Sequence, residues 1–264
     1  MIGMAGRMAQ DFTGKRILVT GASRGLGHVA ALAFARAGAR VLVAGRTREP
    51  LETLRASMPD PDRHEIYVGD LIEPGRTDEL ASLARQTLSG IDVVLHALGG
   101  GYGFRDPLLS RQQFVTLHEV NLGIGAELNR LLVPDMIAAG SGHIVHVGSI
   151  ASGEAVGSVG YNTVKAALAA YVRSLGRELA GKGVVVTAVL PGAFFGPENA
   201  FRRLETRSPE VVRDFVDRRL PRGKVGEADE IVPLIMLLAG PAASMMAGSC
   251  VPIDAGEGFA YPQL

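Results

Sequence analysis

The regular alternation of short apolar runs with longer helical patterns is the feature that most constrains how this chain folds. The apolar runs lie at 16–20, 41–44, 65–68, 92–96, 143–147, 184–190 and 249–253. The helical patterns lie at about 25–37, 49–57, 76–88, 111–119, 122–139, 161–180 and 227–239, with helical turns between 197 and 219. Strands that alternate with helices form βαβ units, so we predict an α/β fold. Its core is a single doubly wound parallel sheet of about seven strands with helices on both faces.

A glycine-rich turn joins the first predicted strand to the first predicted helix, and it reads Thr20-Gly-Ala-Ser-Arg-Gly-Leu-Gly27. Glycines let the backbone approach a pyrophosphate closely, and a helix N-terminus offers free N–H groups and the positive end of its dipole. Three glycines between a strand and a helix are typical of a dinucleotide site. An ordinary glycine-rich connection is the alternative.

The junction after the second predicted strand distinguishes NADP from NAD. NAD sites usually place an acid there to hold the ribose 2′-hydroxyl, whereas a 2′-phosphate favours arginine. This chain has Arg46 at the junction and Arg24 inside the glycine turn, and guanidinium groups bind phosphate well. We predict NADPH as the cofactor, with NAD as the alternative if both arginines are only solvated surface residues.

Tyr161 and Lys165 are four residues apart, so on a helix they lie one above the other on the same face. A phenol with a pKa of about 10 is a poor acid or base near neutrality. A neighbouring ammonium group favours the phenolate, so we predict that Lys165 lowers the pKa of Tyr161 toward the range where proton transfer is efficient.

Length and composition set the remaining bounds. The 264 residues fit one domain, which we predict at 14–264 after a flexible tail at 1–13. The net charge is zero with no long basic run, so no nucleic-acid partner is predicted. The single Cys250 excludes an internal disulfide and favours a reducing compartment. No apolar run reaches the roughly 18 residues of a membrane span, and we predict a cytoplasmic protein without a membrane partner.

Together these motifs resemble those of the short-chain dehydrogenase/reductase family, including members like the 3-oxoacyl-carrier-protein reductases, from about Gly14 to Gly258. The glycine turn is similar to the family's Thr-Gly-xxx-Gly-x-Gly motif. The other matching segments are Asp70-Leu71, Asn121 in Glu-Val-Asn-Leu, Ser149 in Val-Gly-Ser-Ile, the Tyr161/Lys165 pair, Pro191-Gly192 and Ile253-Asp-Ala-Gly256. The resemblance implies a Rossmann fold with a nicotinamide cofactor.

The resemblance also implies roles for individual residues. Ser149 would donate a hydrogen bond to a substrate carbonyl, and Tyr161 would exchange a proton with the substrate oxygen. Lys165 would also bind the nicotinamide ribose, and Asn121 would hold a water that links Lys165 to solvent. Asp70 would bind the adenine amine. The residues assigned to the cofactor are Gly21, Ser23, Arg24, Gly25, Leu26, Gly27, Arg46, Asp70, Leu71, Ala97, Gly99, Tyr161, Lys165, Pro191 and Gly192. No metal is assigned. In isolation, Ser149 could instead bond local backbone, and Asn121 could cap a helix.

The chain departs from the family pattern at three places. His96 stands where the family has an asparagine that ties neighbouring strands, and we interpret it as a structural histidine rather than a second base. Gly196 replaces a threonine that often contacts the nicotinamide carboxamide. The spacing of twelve residues from Ser149 to Tyr161 is slightly short, which indicates a trimmed loop near the substrate.

Substrate specificity is expected in the segments that the fold constrains least, namely 100–107, 150–160 and 193–221. The first carries Tyr102 and Phe104, which either line a pocket or pack a loop. The third resembles the family's mobile substrate lid. Between Glu198 and Lys224 it has eight basic and five acidic residues, so it either steers an anionic substrate or forms the solvated face of helices.

The sequence therefore predicts an NADPH-dependent oxidoreductase for a small carbonyl or secondary alcohol substrate. Two alternatives remain: an NAD-linked dehydrogenase for an alcohol or sugar derivative, and a dinucleotide-binding scaffold or sensor without turnover. The predicted helix that follows Tyr161 is apolar almost all round, so it is expected to be buried on more than one side. The resemblance implies that this helix and the one after Asn121 form a homo-oligomer interface, in a dimer or tetramer.

Overall fold

The computed structural model describes residues 10–259, which contain one seven-stranded parallel sheet and one two-stranded parallel sheet. The strands are β1 (Arg16–Thr20), β2 (Arg40–Gly45), β3 (Glu65–Val68), β4 (Val93–His96), β5 (Gly142–Val147), β6 (Val184–Pro191), β7 (Phe194–Phe195), β8 (Gly226–Glu227) and β9 (Cys250–Ile253). The large sheet has the order β3-β2-β1-β4-β5-β6-β9. This confirms the predicted doubly wound sheet. The order reverses between β1 and β4, and open α/β sheets bind their ligands in the crevice at such a point.

Helices cover both faces of the large sheet. They are α1 (Gly25–Arg36), α2 (Arg48–Ala56), α3 (Arg76–Leu88), α4 (Arg111–His118), α5 (Ile124–Ala138), α6 (Val159–Ala180), α7 (Ala200–Arg207), α8 (Pro209–Arg219) and α9 (Ala228–Leu238). Alternate strand residues face opposite layers. Ile17 and Val19 pack in the core that α1, α2 and α9 cover, whereas Leu18 packs in the core under α3, α5 and α6.

The structure differs from the sequence prediction at the small sheet and between the fourth and fifth helices. The small sheet of β7 and β8 was not predicted, because a two-residue strand carries too little pattern to recognise. The predicted break between the two helices is wrong. Instead, a π-helical turn, Glu119–Gly123, makes α4 and α5 continuous, and Asn121 lies within it. Such turns occur frequently at functional sites.

The predicted flexible tail also needs correction at its end. Residues 1–9 of that tail lie outside the described residues. Phe12 is 3% exposed and packs edge-on against Phe34, with ring centroids 5.0 Å apart. An aromatic ring buried in this way belongs to the core rather than to a flexible tail. Among residues 10–259, no helix is both long enough and apolar enough to cross a membrane.

Candidate active site

The glycine turn between β1 and α1 packs directly against the end of β4. A Cβ on Gly21 would lie 2.8 Å from the carbonyl carbon and oxygen of Ala97, and Gly21 has a φ of +71°. A Cβ on Gly27 would lie 2.6 Å from the Gly21 carbonyl oxygen. Glycine is therefore required at both positions, because any larger residue would push the turn away from β4.

Groups suited to a dinucleotide surround the first turn of α1. The helix begins at Gly25, and no side chain caps its N-terminus. The first N–H groups of a helix lack intrahelical acceptors and favour anions. The Ser23 hydroxyl is buried in the same turn and has no hydrogen-bond partner in the described part of the chain. An orphaned hydroxyl beside a helix N-terminus fits a ligand with phosphate and ribose oxygens, so the residues present fit the implied cofactor.

Three arginines lie near one another beside the glycine turn, namely Arg24, Arg46 and Arg203. Burial lowers the pKa of Arg24, and the nearby charges of Arg203 and Arg46 lower it further. Arg46 also lies 3.7 Å from Asp70, between Nη1 and Oδ2. Repulsion among three guanidinium groups is relieved when an anion binds between them. The sequence interpretation counted Arg203 only as one of the basic residues of the lid, since no motif marks it.

The two residues after β3 take up different positions. Asp70 pairs with Arg46 and accepts a hydrogen bond from the Ile72 N–H at 3.3 Å, whereas Leu71 is buried in the core. The Asp70 carboxylate thus pairs with Arg46, one of the arginines predicted to bind the 2′-phosphate. Its predicted bond to the adenine amine stays a prediction.

Asn121 holds the loop after β4. Its amide donates to the carbonyl oxygens of Gly100 at 3.0 Å and Leu117 at 2.9 Å, and its Oδ1 accepts from the Gly100 N–H at 3.1 Å. A Cβ on Gly99 would lie 2.9 Å from Asn121 Oδ1 and 3.1 Å from Lys165 Nζ. Both amide hydrogens of Asn121 are therefore used by backbone, and glycine at 99 lets the loop pass beside the lysine.

Ser149, Tyr161 and Lys165 meet at the carboxyl end of β5. Ser149 Oγ accepts from the Ala151 N–H at 3.2 Å, and the Ser149 hydroxyl also lowers the pKa of the neighbouring Tyr161 phenol. Lys165 Nζ lies 5.6 Å from the centre of the Tyr161 ring and donates to the Val147 carbonyl oxygen at 3.0 Å. The lysine is 3% exposed, so its charge sits in a low-dielectric environment next to the phenol.

The pKa shifts of Tyr161 and Lys165 differ from the sequence prediction. Burial raises the pKa of Tyr161, although the neighbouring Ser149 hydroxyl opposes that rise. Burial lowers the pKa of Lys165 to about 8. The net direction is therefore opposite to the predicted one, because burial of the phenol dominates. That Lys165 lowers the pKa of Tyr161 stays a prediction. Near neutrality Tyr161 is protonated, and Lys165 is largely charged.

Two glycine loops approach the edges of the Tyr161 ring. A Cβ on Gly157 would lie 2.9 Å from the ring carbon Cδ1, and a Cβ on Gly101 would lie 3.9 Å from Cδ2. Next to Gly101, Tyr102 and Phe104 pack on each other, with ring centroids 6.2 Å apart. Segments 100–107 and 150–160, where substrate specificity was expected, thus flank the tyrosine.

The turn after β6 is held by a glutamate that the sequence interpretation missed. Pro191 ends β6 and pairs with Ile253 of β9, and the Gly192 N–H donates to the Ile253 carbonyl oxygen at 3.3 Å. Glu257 is 4% exposed and accepts from the Ala193 N–H at 2.6 Å. Burial raises the pKa of Glu257. It lies 64 residues from Ala193 in the chain, and no sequence motif links the two.

The segment that enters the lid packs on the glycine turn. The Gly25 N–H donates to the Pro197 carbonyl oxygen at 2.6 Å, and a Cβ on Gly196 would lie 3.3 Å from Gly25 Cα. A threonine at 196 would therefore crowd the first residue of α1. This close approach gives a physical reason for the departure from the family pattern at Gly196.

Helices α7 and α8 form the predicted helical region of the lid. Phe195, Val212, Leu220 and Val225 form a small separate core beneath them. Three of the eight basic residues of this region are neutralised by neighbouring acids, namely Arg202 by Glu205 and Glu227, Arg218 by Asp214, and Arg222 by Glu230. Because Glu227 and Glu230 are not among the five acids counted, these pairs reduce the excess of positive charge from three to one, which favours the solvated helix face over the steering of an anion.

The sheet order, the glycine turn and the tyrosine–lysine pair define an α/β oxidoreductase. A family model described as enoyl-(acyl carrier protein) reductase, adh_short_C2, matches residues 21–257. The chain belongs to the short-chain dehydrogenase/reductase family and acts on carbonyl or alcohol groups.

Characterised relatives agree with this assignment. The chain is 30% identical to a 3-oxoacyl-[acyl-carrier-protein] reductase of Thermotoga maritima, over 92% of this chain and 97% of that protein. A reductase of the same name from Pseudomonas aeruginosa is also 30% identical, with the same coverage. The structure of a 3-oxoacyl (acyl-carrier-protein) reductase from Agrobacterium tumefaciens with NADP bound superposes with a TM-score of 0.84 at 26% identity, covering 97% of this chain and all of that one.

Proposed function

We propose that this protein is an NADPH-dependent carbonyl reductase, reversibly an alcohol dehydrogenase, with Tyr161 as the general acid. Ser149 orients the substrate carbonyl by a hydrogen bond, and Tyr161 donates its proton to the carbonyl oxygen as negative charge develops there. Lys165 stabilises the phenolate that this transfer leaves behind, and Asn121 holds the loop beside the lysine. The cofactor, when bound, supplies the hydride.

The observation that carries this proposal is the position of the Tyr161 phenol, between the Ser149 hydroxyl that lowers its pKa and the buried ammonium of Lys165, 5.6 Å from the centre of its ring. The raised pKa of Tyr161 keeps the phenol protonated at neutral pH, which is the state that carbonyl reduction requires. The charge of Lys165 is strongly felt there because little solvent screens it. These properties support turnover rather than a silent scaffold.

The preference for NADPH rests on the arginines at the outer end of the site. Arg24, Arg46 and Arg203 together suit a 2′-phosphate, and no acid replaces Arg46 at the end of β2. The NADP bound to the Agrobacterium tumefaciens relative supports the same choice. The further residues proposed to contact the cofactor are Gly21, Ser23, Gly25, Leu26, Gly27, Asp70, Leu71, Ala97, Gly99, Pro191 and Gly192.

Cofactor oxidation at 340 nm tests the activity against a panel of acetoacetyl-coenzyme A, cyclohexanone, L-sorbose and crotonyl-coenzyme A. We expect reduction of a ketone with NADPH, with acetoacetyl-coenzyme A as the first candidate because of the named relatives. Crotonyl-coenzyme A tests the enoyl reduction in the description of the family model. Equal use of NADH would contradict the cofactor proposal, and tight NADPH binding without any turnover would favour a scaffold.

Replacing Tyr161 by Phe tests the catalytic role directly. The substitution removes only the hydroxyl, so we expect kcat to fall by roughly 100-fold or more, as for the loss of a general acid, while NADPH binds as before. Stopped-flow and fluorescence titration measure the two quantities. Val159→Ala, an exposed change on the same helix, serves as the control. If the Tyr161→Phe protein kept most of its activity, another group would have to supply the proton.

We also propose a single domain, predicted at 14–264 and extended to include the packed Phe12, together with a cytoplasmic location and a homo-oligomer. Ala166 and Ala170 of α6 are exposed in the protomer, so α6 is not buried on more than one side within the residues described. Small exposed apolar residues on such a helix suit contact with a second copy. Cell fractionation tests the location, and sedimentation velocity tests the oligomer; a monomer at micromolar concentration would exclude it.

A further inference from the structure

A row of three polar side chains crosses the centre of the sheet behind the candidate active site. Thr20 on β1 pairs in register with His96 on β4, and His96 pairs with His146 on β5. Residues paired in this way on parallel strands project to the same face. The row therefore faces α5 and α6, in a layer that is mostly apolar, and each of the three residues is at most 5% exposed.

A single side chain of α5, Asn129, binds both histidines. His96 Nε2 lies 2.9 Å from Asn129 Oδ1, and the Asn129 amide donates to His146 Nε2 at 3.3 Å and to the Tyr171 hydroxyl at 3.0 Å. These partners assign the proton of His96 to Nε2 and that of His146 to Nδ1. The two rings stack with centroids 4.5 Å apart. One nitrogen of each ring, Nδ1, is left without a bond to Asn129.

A small cavity of about 10 Å³ adjoins this row. Its lining includes Thr20, His96 and His146, together with Asn121 and Val147 of the candidate active site. The Thr20 hydroxyl is buried and has no hydrogen-bond partner among the described residues. A cavity of this size has room for about one water, provided that two to four polar groups bind it. Thr20 Oγ1 and the two histidine rings of the lining supply such groups.

We propose that Thr20, His96 and His146 hold one buried water in this cavity, and that this bonded set is a positioning network for the Lys165 ammonium. His146 directly precedes Val147, whose carbonyl oxygen accepts from Lys165 Nζ at 3.0 Å. A neutral, polar and hydrated wall solvates the ammonium, whereas a dry apolar wall would disfavour its charge. The part played by Lys165 in catalysis rests on the proposed function; the network itself does not.

The charges around the network are compatible with this role. The groups that face the histidine pair are Lys165 and Tyr171 from α6, and Asn129 from α5, which does not titrate. Burial lowers the pKa of His96 to about 4 and lowers that of His146 well below its usual range, with the charge of Lys165 adding to the second shift. Both rings are therefore neutral at physiological pH, and Lys165 carries the charge in this layer.

The first experiment measures the proton affinity of Lys165 without any turnover. The pKa is read from the 13Cε shift in protein labelled at its four lysines, with the Lys165 signal assigned from Lys165→Met. We expect a value of about 8 in the parent, and a fall of about one unit in His146→Leu because the wall becomes apolar. His146→Gln should restore the parent value, since its amide remains polar.

The matched control is His64→Leu. His64 is also 2% exposed and binds two backbone groups, the Val41 N–H and the Pro59 carbonyl oxygen, but it lies between β2 and β3. The His64→Leu substitution should reduce stability, as the loss of a buried, hydrogen-bonded histidine does. It should leave the Lys165 titration unchanged. An unchanged titration in His146→Leu, or an equal shift in His64→Leu, would overturn the positioning role.

The second experiment tests the water through Thr20→Val, which removes the hydroxyl and preserves the shape. A hydroxyl buried in a dry cavity is destabilising, so its loss would raise the melting temperature. A hydroxyl bonded to a buried water stabilises the fold, so we expect the melting temperature to fall and the pKa of Lys165 to fall with it. A rise in melting temperature would overturn the proposal, and this variant also serves if His146→Leu does not fold.

A loss of the network should also appear in the pH dependence of acetoacetyl-coenzyme A reduction by NADPH. The alkaline limb of kcat should move to lower pH in His146→Leu and stay in place in His146→Gln, while KM changes little. A failure of the parent to turn over this substrate would count against the proposed function alone, because the lysine titration and the melting temperature are measured without substrate.

Discussion

At the scale of single residues, the pKa values of the catalytic pair depend more on how deeply each group is buried than on the distance between the two groups. Lys165 and Tyr161 both lose solvation, so the pKa of the amine falls and that of the phenol rises. At neutral pH the phenol is nevertheless protonated and the ammonium still largely charged, which are the states that the proposed carbonyl reduction uses. The result shows that a spacing of four residues identifies partners, whereas the burial of each group decides how far its pKa moves.

The three arginines make a prediction about cofactor choice. Arg24→Gln, Arg46→Gln and Arg203→Gln should each raise the Kd for NADPH roughly tenfold, because each removes one charge-assisted bond to a 2′-phosphate. The Kd for NADH should change by no more than about twofold. Fluorescence titration of the bound nucleotide measures both constants.

Arg213→Gln, at an exposed arginine of α8, is the control for the loss of one positive charge. If Arg203→Gln bound NADPH as tightly as this control, Arg203 would belong to the lid alone. The outcome for Arg203 matters most, since no sequence motif marks that residue.

The buried His96 makes a prediction about stability. Its pKa is about 4 in the folded chain, against 6.5 for an ordinary histidine. Between these values the unfolded chain binds a proton that the folded chain does not, so the free energy of unfolding falls as the pH drops from 6.5 toward 4. At pH 5 the loss from this residue is about 2 kcal/mol relative to neutral pH.

Urea unfolding at pH 7.5 and pH 5 measures this difference. His96→Asn should flatten the pH dependence by about that amount, whereas Arg213→Gln should reproduce the parent's slope. An unaltered slope in His96→Asn would mean that the folded chain accepts the proton at His96 readily.

At the scale of elements, close backbone approaches fix how helices meet the sheet. A Cβ on Gly176, in the middle of α6, would lie 2.6 Å from Gly248 Cα and 3.0 Å from the Val186 carbonyl oxygen. The helix can press against the chain before β9 only because this side chain is missing. The same principle acts at Gly21, Gly27 and Gly99 around the candidate site.

Gly176→Ala should therefore destabilise the fold by about 1–3 kcal/mol through overpacking, although alanine favours a helix more than glycine does. Gly181→Ala is the matched control, because no atom lies within 4 Å of its Cβ position and its φ is −72°. That control should be neutral or stabilising by up to about 1 kcal/mol. Urea unfolding distinguishes the two; equal stability of both variants would contradict the packing argument.

At the scale of the whole molecule, the segments of the proposed cofactor and catalytic sites come together at the crevice between β1 and β4. The parallel order brings together the glycine turn, the loop after β4 and the end of β5, which are far apart in the chain. The lid crosses back to this crevice through the Pro197 contact with Gly25. The glycine turn thus contacts both the sheet and the lid.

Much of this arrangement could be predicted from local pattern. Strand and helix positions follow from apolar periodicity, and the glycine turn with Tyr161 and Lys165 follows from motif spacing. The two-residue strands β7 and β8 and the π-helical turn could not be predicted, because neither has a repeat long enough to produce a pattern. Glu257 was missed because its partner, the Ala193 N–H, is a backbone group that leaves no trace in the sequence.

The sequence by itself determined the layered α/β fold, the position of the glycine turn and the tyrosine–lysine pair, since each depends on residues close together in the chain. Only the tertiary structure decided the direction of the Tyr161 pKa shift, the meeting of Arg203 with Arg24 and Arg46, and the bonding of His96 to His146 through Asn129. These depend on burial and on contacts between distant segments. Desolvation and the distances between charges are set by how the layers pack, so no local pattern contains them.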